Sequence, residues 1–208
     1  MTNAVLAKLR AFVTGTPIEE CELCAGSISM DHEHLLEPDA RRVFCACRAC
    51  AELFVQEHDR KLPRYLRVQR RSARLRDVDI DDSTWVDLGV PVGLAYFTVR
   101  SRTGEVVATF PGRSSTIEAF VPLRAWSELE RRFPVLKGIL PDVEALLVRR
   151  TSRHQDYFQL SVDHCYELSS LLRDADAPAS PELSLVQAFF ERLDEQSGQR
   201  RHSRRPTS

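Results

Sequence analysis

The chain has 208 residues, 43% of them hydrophobic, which suffices for one substantial core and a small additional module. Its formal net charge of -1 provides no overall attraction to nucleic acid or to a membrane surface. No run approaches the roughly 18 apolar residues of a membrane helix, and the first residues are too few and too amphipathic for a secretory signal. We therefore expect a cytoplasmic protein, without membrane partners, whose cysteines are metal ligands or redox thiols rather than disulfides.

The first predicted element is a short amphipathic helix. Residues 3–13 carry apolar side chains at helical spacing, and Gly15 ends the pattern. A cysteine-rich segment follows to about residue 60 and holds five of the six cysteines.

Two C-x-x-C pairs dominate this segment: Cys21 with Cys24, and Cys47 with Cys50. A C-x-x-C turn brings two thiolates onto one metal ion, and two such turns complete the tetrahedron that zinc accepts. We therefore predict that these four cysteines bind a structural zinc ion. Iron in the same site is the alternative, and it would make the segment a redox centre.

The residues between and after the pairs predict the surrounding elements. The segments SISMDHEHLL and RRVFCAC lie on either side of EPDA, which predicts a hairpin. The segment CRACAELFVQEHDRK has the apolar side of a helix from about Cys47 on. A knuckle, a hairpin and a helix that carries the second ligand pair together form the treble-clef arrangement, in which the helix dipole also favours thiolate.

Three further residues of the segment are candidate ligands. Cys45 could replace Cys47 in the metal site, be a buried thiol, or mark a redox or cluster site. His32 and His34 lie two residues apart on the first predicted strand, so both point to the same face and could bind something together. The alternative is that both are simply exposed or form hydrogen bonds across the hairpin.

A nuclease is a third hypothesis for this segment. Two C-x-x-C pairs around the sequence DHEH resemble the metal finger of HNH endonucleases, in which the histidine of an Asp-His dipeptide is the general base. Asp31 and His32 match that dipeptide. However, no asparagine occurs between the cysteine pairs, and no histidine follows Cys50 before His58. The nuclease therefore ranks below the metal-binding and redox interpretations.

A strongly charged stretch follows the cysteine segment. Eight basic residues lie between positions 60 and 76, and the acidic sequence DVDIDD comes next. This pattern is typical of a solvated linker, so we do not expect nucleic acid as a partner.

The remainder predicts a second domain of strands and helices. Residues 92–110 are a predicted hairpin, and TIEAFVPL is a third strand. A helix over 124–133, the strands VEALLVRR and DYFQLSV, and a helix from residue 164 capped by Asp163 follow. Ser180 and Pro181 should begin a last helix, and Cys165 should be a small core residue.

Together these elements predict the α+β class, with a small treble-clef or zinc-ribbon-like module followed by a mostly antiparallel sheet domain with carboxy-terminal helices. The expected segments are residues 1–60 (amino-terminal helix and zinc module), 61–83 (charged linker), 84–196 (α+β domain) and 197–208 (disordered basic tail).

Several motifs also resemble one bacterial family of unknown function. They are C-E-L-C, then H-E-H-L and C-x-C-x-x-C-x-x-L-F, then VPVGLAYF, VVATFPGRSSTIEAF, PDVEALLVRR and DHCYEL, in that order. The resemblance covers about residues 17–195. Genes of that family are often found beside those of nickel-iron hydrogenases, so the resemblance implies an accessory role in hydrogenase maturation or function.

We therefore expect a non-enzymatic, metal-binding accessory protein whose partner is a protein, such as a hydrogenase subunit or maturation factor. A rubredoxin-like or cysteine-based electron-transfer component is the second hypothesis, and the HNH-like nuclease is the third.

Overall fold

The computed structural model describes residues 19–55, 63–112, 115–151, 155–174 and 182–199. Two compact units divide the chain, Met1–Gln69 and Arg70–Ser208. The predicted helix over residues 3–13 and the predicted helix start at Ser180 and Pro181 lie outside the described residues. The α+β prediction is confirmed, because every described strand pair is antiparallel and two helices occupy the carboxy-terminal end.

In the described residues of the first unit, a small three-stranded sheet is accompanied by one helix. Its central hairpin pairs β3 with β4, and β5 pairs with the other edge of β3, as the alternating segments predicted for the hairpin. A separate two-stranded ribbon, β1 with β2, precedes the hairpin. The elements are β1 Glu19–Glu20, β2 Ser27–Ile28, β3 Glu33–Glu37, β4 Arg42–Ala46, α1 Arg48–Val55 and β5 Leu66–Val68.

The stretch predicted as a linker, residues 61–83, contains regular elements instead. β5 belongs to the first unit, whereas β6, Ser72–Arg74, pairs with a strand of the second. The helix α2, Asp82–Asp87, follows, with Asp81 as its N-cap accepting the Thr84 N–H. The local charge density alone predicts a solvated linker, because the carboxylates that pair with these arginines lie far from them in the sequence.

Those carboxylates lie within the same unit as the arginines they pair with. In the first unit, Arg64 pairs with Glu37 at 2.9 Å and Arg67 with Glu33 at 3.7 Å, both across to β3. In the second unit, arginines of the same stretch pair with nearly buried carboxylates: Arg70 with Asp163, Arg71 with Glu144, and Arg74 with Asp156. Paired in this way, the arginines can flank strands whose alternate residues, such as Val68 and Ser72, are buried.

The second unit contains a six-stranded sheet in the order β6-β11-β10-β7-β8-β9. Its central strands are buried along most of their length, because both faces of the sheet are covered, and they therefore read as continuous apolar runs. The predicted hairpin and the three later strands are all present. The strands are β7 Leu94–Val99, β8 Val106–Pro111, β9 Thr116–Phe120, β10 Glu144–Arg150 and β11 Gln155–Ser161.

Helices cover the two faces of this sheet. On one face, Phe97 of β7 packs against Trp85 of α2 and Trp126 of α3, Leu123–Arg132, with ring centroids 5.9 and 5.8 Å apart. A 3-10 helix, Pro134–Gly138, adds Leu136 to this core. The other face is covered by α4, Val162–Asp174, and α5, Glu182–Gln199, through side chains that include Cys165, Phe189 and Phe190.

Two predicted helix boundaries differ from the structure. The helix α4 continues directly from β11, so Asp163 lies in its first turn and pairs with Arg70 rather than acting as the N-cap. The last helix continues through residues 197–199, which were predicted to begin the disordered tail; residues 200–208 lie outside the described residues. Asp194 and Gln196 contact Arg74 and Ser72 of β6, and these contacts hold the end of α5 against the sheet edge.

The core of the second unit is tested by a pair of leucines. Leu146 is 0% exposed in β10, whereas Leu123 is 67% exposed at the start of α3. We expect Leu146→Ala to lower the free energy of unfolding by about 2–5 kcal/mol, because it opens a cavity, and Leu123→Ala to change it by about 0.5 kcal/mol or less. Urea unfolding followed by tryptophan fluorescence isolates this unit, because both tryptophans of the chain lie in it. Equal losses in the two variants would contradict the assignment of the core.

Candidate metal centre

The first cysteine pair lies on a tight backbone turn between β1 and β2. The Ala25 N–H donates to the Cys21 carbonyl at 2.7 Å, and the Cys21 N–H donates to the Gly26 carbonyl at 2.8 Å. Ala25 has φ of 58°, in the left-handed region, which reverses the chain direction. The turn buries the Cys21 side chain and leaves Cys24 exposed.

The second pair lies on the first turn of α1. The Cys47 carbonyl accepts the Ala51 N–H at 2.9 Å, which makes Cys47 the N-cap of this helix. Its sulfur accepts the Cys50 N–H at 3.4 Å, in the role that a serine or aspartate oxygen plays at most N-caps. Cys47 and Cys50 are therefore oriented by the start of the helix itself, as the sequence predicted.

The four sulfurs converge. The Sγ atoms of Cys21, Cys24, Cys47 and Cys50 all lie within 4.8 Å of one another. The Sγ atoms of Cys24 and Cys47 are 3.8 Å apart, and a zinc ion bound tetrahedrally at about 2.3 Å from each sulfur sets its ligands about 3.8 Å apart. The donor set and this spacing fit one tetrahedral metal ion.

The surroundings affect the two buried thiols in opposite directions. Burial acts to raise the pKa of Cys21, but hydrogen bonds from the backbone at Cys47, Leu23 and Cys24 outweigh it and lower that pKa to about 6. Burial raises the pKa of Cys50 to about 12, with smaller contributions in the same direction from the neighbouring thiols, Cys47 first. The lowered pKa favours the thiolate form of Cys21 at neutral pH, whereas the raised pKa of Cys50 favours a thiol whose proton a metal ion must displace into solvent.

The apolar core beneath the sulfurs is small. Its buried members are Cys21, Leu35, Ala46, Cys50, Ala51 and Tyr65. Phe44 and Phe54 each pack edge-on against Tyr65, with ring centroids 5.7 Å apart. Two of these six residues are themselves cysteines of the metal site, so the sulfurs form a large part of this apolar cluster.

The remaining candidates lie together, outside the four-cysteine cluster. His32, His34 and Cys45 form a second group whose ligand atoms lie within 4.8 Å of one another. Cys45 and Cys47 are only two residues apart, yet Cys47 belongs to the four-cysteine cluster and Cys45 to the second group. The sequence signal for this second group was the spacing of the two histidines, which indicated a shared face.

The second unit also holds the adjacent pair His164 and Cys165. His164 Nδ1 lies 2.9 Å from the Ser161 hydroxyl, while Cys165 packs in the core with Leu168 and Phe189. Burial raises the pKa of the Cys165 thiol well above its usual value. The prediction of Cys165 as a small core residue agrees with this environment.

The chain is thus an α+β protein with a cysteine-rich candidate metal centre in its amino-terminal unit. A family model described as a family of unknown function, DUF5947, matches residues 20–197, and the chain belongs to this family. No curated protein and no solved structure matches the chain. Among the helices that the structure describes, none has the length and apolar character needed to cross a bilayer.

The unequal thiols predict how metal affinity depends on pH. Above about pH 6 the Cys21 thiolate needs no proton removed, whereas below it the thiol is protonated and the metal must displace one more proton. The logarithm of zinc affinity should therefore fall about one unit more steeply per pH unit below about pH 6 than above it.

Competition with a chromophoric chelator between about pH 5 and pH 7.5, corrected for the chelator's own protonation, measures this slope. The variant Cys45→Ser serves as the control, because Cys45 lies outside the four-sulfur cluster and the steepening should persist. A constant slope across the range would contradict the lowered pKa of Cys21.

Proposed function

We propose that Cys21, Cys24, Cys47 and Cys50 bind one structural zinc ion that holds the first unit in a treble-clef-like arrangement. The observation that carries the proposal is the convergence of four sulfurs from a backbone turn and a helix start, with spacing suited to tetrahedral zinc. Four thiolates fill the coordination shell, which is typical of structural sites rather than catalytic ones.

The small interior of the unit supports a stabilising role for the ion. The apolar cluster beneath the sulfurs has six buried members among the described residues, two of them cysteines of the site, and supplies little hydrophobic stabilisation. In such modules the free energy of metal binding is largely the free energy of folding. The metal therefore replaces the core that a larger domain would have.

A rubredoxin-like electron-transfer protein is the second candidate. The same four thiolates accept iron, and the exposure of Cys24 would bring a redox metal close to solvent. The HNH-like nuclease has less support, because both ring nitrogens of His32 already have polar neighbours and its side chain is 9% exposed.

We further propose that the protein acts in the cytoplasm as a non-enzymatic accessory protein of a nickel-iron hydrogenase, through contact with a subunit or a maturation factor. The motif resemblance supports this partner. Apolar side chains on the second unit provide candidate contact points: Phe120 and Leu123 are 65% and 67% exposed on β9 and α3.

Elemental analysis of anaerobically purified protein, with a visible spectrum of the same sample, decides between the first two candidates. A colourless protein that contains zinc and no iron supports the structural centre. Iron with thiolate-to-iron absorption would establish electron transfer as the leading function and overturn the zinc proposal.

Serine substitutions test the role of the metal. We expect Cys24→Ser and Cys50→Ser each to release the ion and to remove most of the roughly 10 kcal/mol that a structural zinc contributes at neutral pH. Amide hydrogen exchange in β3 and β4 reports this loss, since tryptophan fluorescence reports only the second unit. The matched control Cys165→Ala should keep the zinc ion of the first unit, because Cys165 lies in the apolar core of the second unit. Unchanged metal content and exchange in both serine variants would contradict the proposal.

The accessory role requires a test in the native host. Deletion of the gene should lower hydrogenase activity, and the wild-type gene should restore it. If the exposed apolar residues mediate contact, Phe120→Ser should fail to restore activity, whereas the metal content stays unchanged. Normal hydrogenase activity in the deletion strain would remove this partner from consideration.

A further inference from the structure

The backbone register of the first hairpin explains why His32, His34 and Cys45 meet. His34 of β3 lies directly opposite Cys45 of β4 in the strand pairing. Directly opposite residues have Cβ atoms about 5 Å apart and side chains on the same face. His32 lies just before β3, and its Nε2 is 3.1 Å from that of His34. The strand pairing thus brings His34 and Cys45 together, and the residues before β3 place His32 beside them.

The hydrogen bonds of His32 prepare its other ring nitrogen to bind a metal. Its Nδ1 lies 2.8 Å from the Ser29 carbonyl and 3.1 Å from a carboxylate oxygen of Glu19. Both neighbours are acceptors, so Nδ1 carries the proton and, in the neutral ring, Nε2 carries the lone pair. Metal-binding histidines are commonly fixed in this way, by a carbonyl or carboxylate on the far nitrogen.

The Nε2 atom of His32 faces the second histidine. The Nε2 atoms of His32 and His34 are 3.1 Å apart, and the ring centroids are 4.9 Å apart. Two nitrogens bound to one tetrahedral zinc ion at about 2.0–2.1 Å are about 3.3 Å apart. The observed separation is close to that value.

Cys45 is held in place by the first cysteine knuckle. The Glu22 carboxylate, between Cys21 and Cys24, accepts the Cys45 N–H at 2.7 Å, and the Glu22 N–H donates to the Cys45 carbonyl at 2.9 Å. Arg42 donates to the other oxygen of Glu22 at 2.7 Å and offsets its charge. The backbone of Cys45, the third candidate ligand, is therefore fixed through both its N–H and its carbonyl.

We propose that His32, His34 and Cys45 form a second metal site, for a borderline divalent ion such as zinc or cobalt. Two imidazoles and one thiolate suit such ions better than calcium or magnesium, which prefer oxygen. Among the described residues, three donors converge here rather than four. Three protein ligands leave a fourth position for water or an exogenous ligand, the coordination of exchangeable and catalytic zinc.

This inference goes beyond the proposed structural centre, because it assigns a different role to the second ion. The first ion is enclosed by four sulfurs and should exchange slowly. The second is held by three donors rather than four and should be released first to a chelator. One hairpin would then carry a structural ion and a replaceable one.

Cobalt titration of the purified protein, after the loosely held metal is removed with a weak chelator, tests the site. We expect one cobalt ion per chain to bind beside the retained first ion, with tetrahedral ligand-field bands and absorption from a single thiolate. The variants His34→Ala and Cys45→Ser should each lose this cobalt and keep the first ion, whose retention shows that the unit remains folded.

Two further variants sharpen the result. Glu19→Gln should weaken cobalt binding by about 10–100-fold, because it removes the carboxylate behind His32. Asp31→Asn, next to His32 but outside the group, is the matched control and should bind normally. The proposal is overturned if the wild-type protein takes up no cobalt, or if His34→Ala and Cys45→Ser bind it as the wild type does.

Loss of cobalt from His34→Ala and Cys45→Ser, with the first ion retained in both, would separate the two sites. Failure of cobalt uptake with the first ion still bound would reject only the second site. The absence of zinc from the first site, by contrast, would reject the proposed structural centre and leave the cobalt result to stand independently.

Discussion

The convergence of four cysteine sulfurs is the constraint on which the first unit depends. The two pairs arrive from different local structures, a left-handed turn at Ala25 and a helix capped by the Cys47 sulfur. Neither structure is stable by itself, because the turn is short and the eight residues described for the helix are too few for an isolated helix. A metal ion bound by all four thiolates would stabilise both at once, which a core of six buried residues does weakly.

A single side chain connects this centre to the neighbouring histidines. Glu22 lies inside the first C-x-x-C pair. Its carboxylate accepts the Cys45 N–H, and its own N–H donates to the Cys45 carbonyl. Any change that loosens the knuckle should therefore displace the third donor of the second group. The two groups share one hairpin but differ in donors: four sulfurs in one, two imidazoles and one sulfur in the other. This difference suits one enclosed ion and one accessible ion.

The second unit is stabilised on another principle. Its sheet is covered on both faces by aromatic and aliphatic side chains, which form its interior. The nearly buried carboxylates Glu144 and Asp156 are matched by Arg71 and Arg74, while Arg149 donates to Asp156 as well. Removing one partner would leave a charge uncompensated in a poorly solvated position, which costs more than the pair contributes. The dense charge of residues 70–76 is thus part of the packing of this unit.

The sequence alone determined the local features of this protein. Spacing identified the four cysteines, alternation identified the hairpins and strands, and helical periodicity identified α1 and α3, because each signal arises from near neighbours along the chain. The tertiary structure decided which distant residues meet. The β3–β4 register places Cys45 opposite His34. Carboxylates from other parts of the chain pair with the arginines of β5 and β6 and allow this charged stretch to form strands. These outcomes depend on contacts between residues far apart in sequence, which local patterns do not encode.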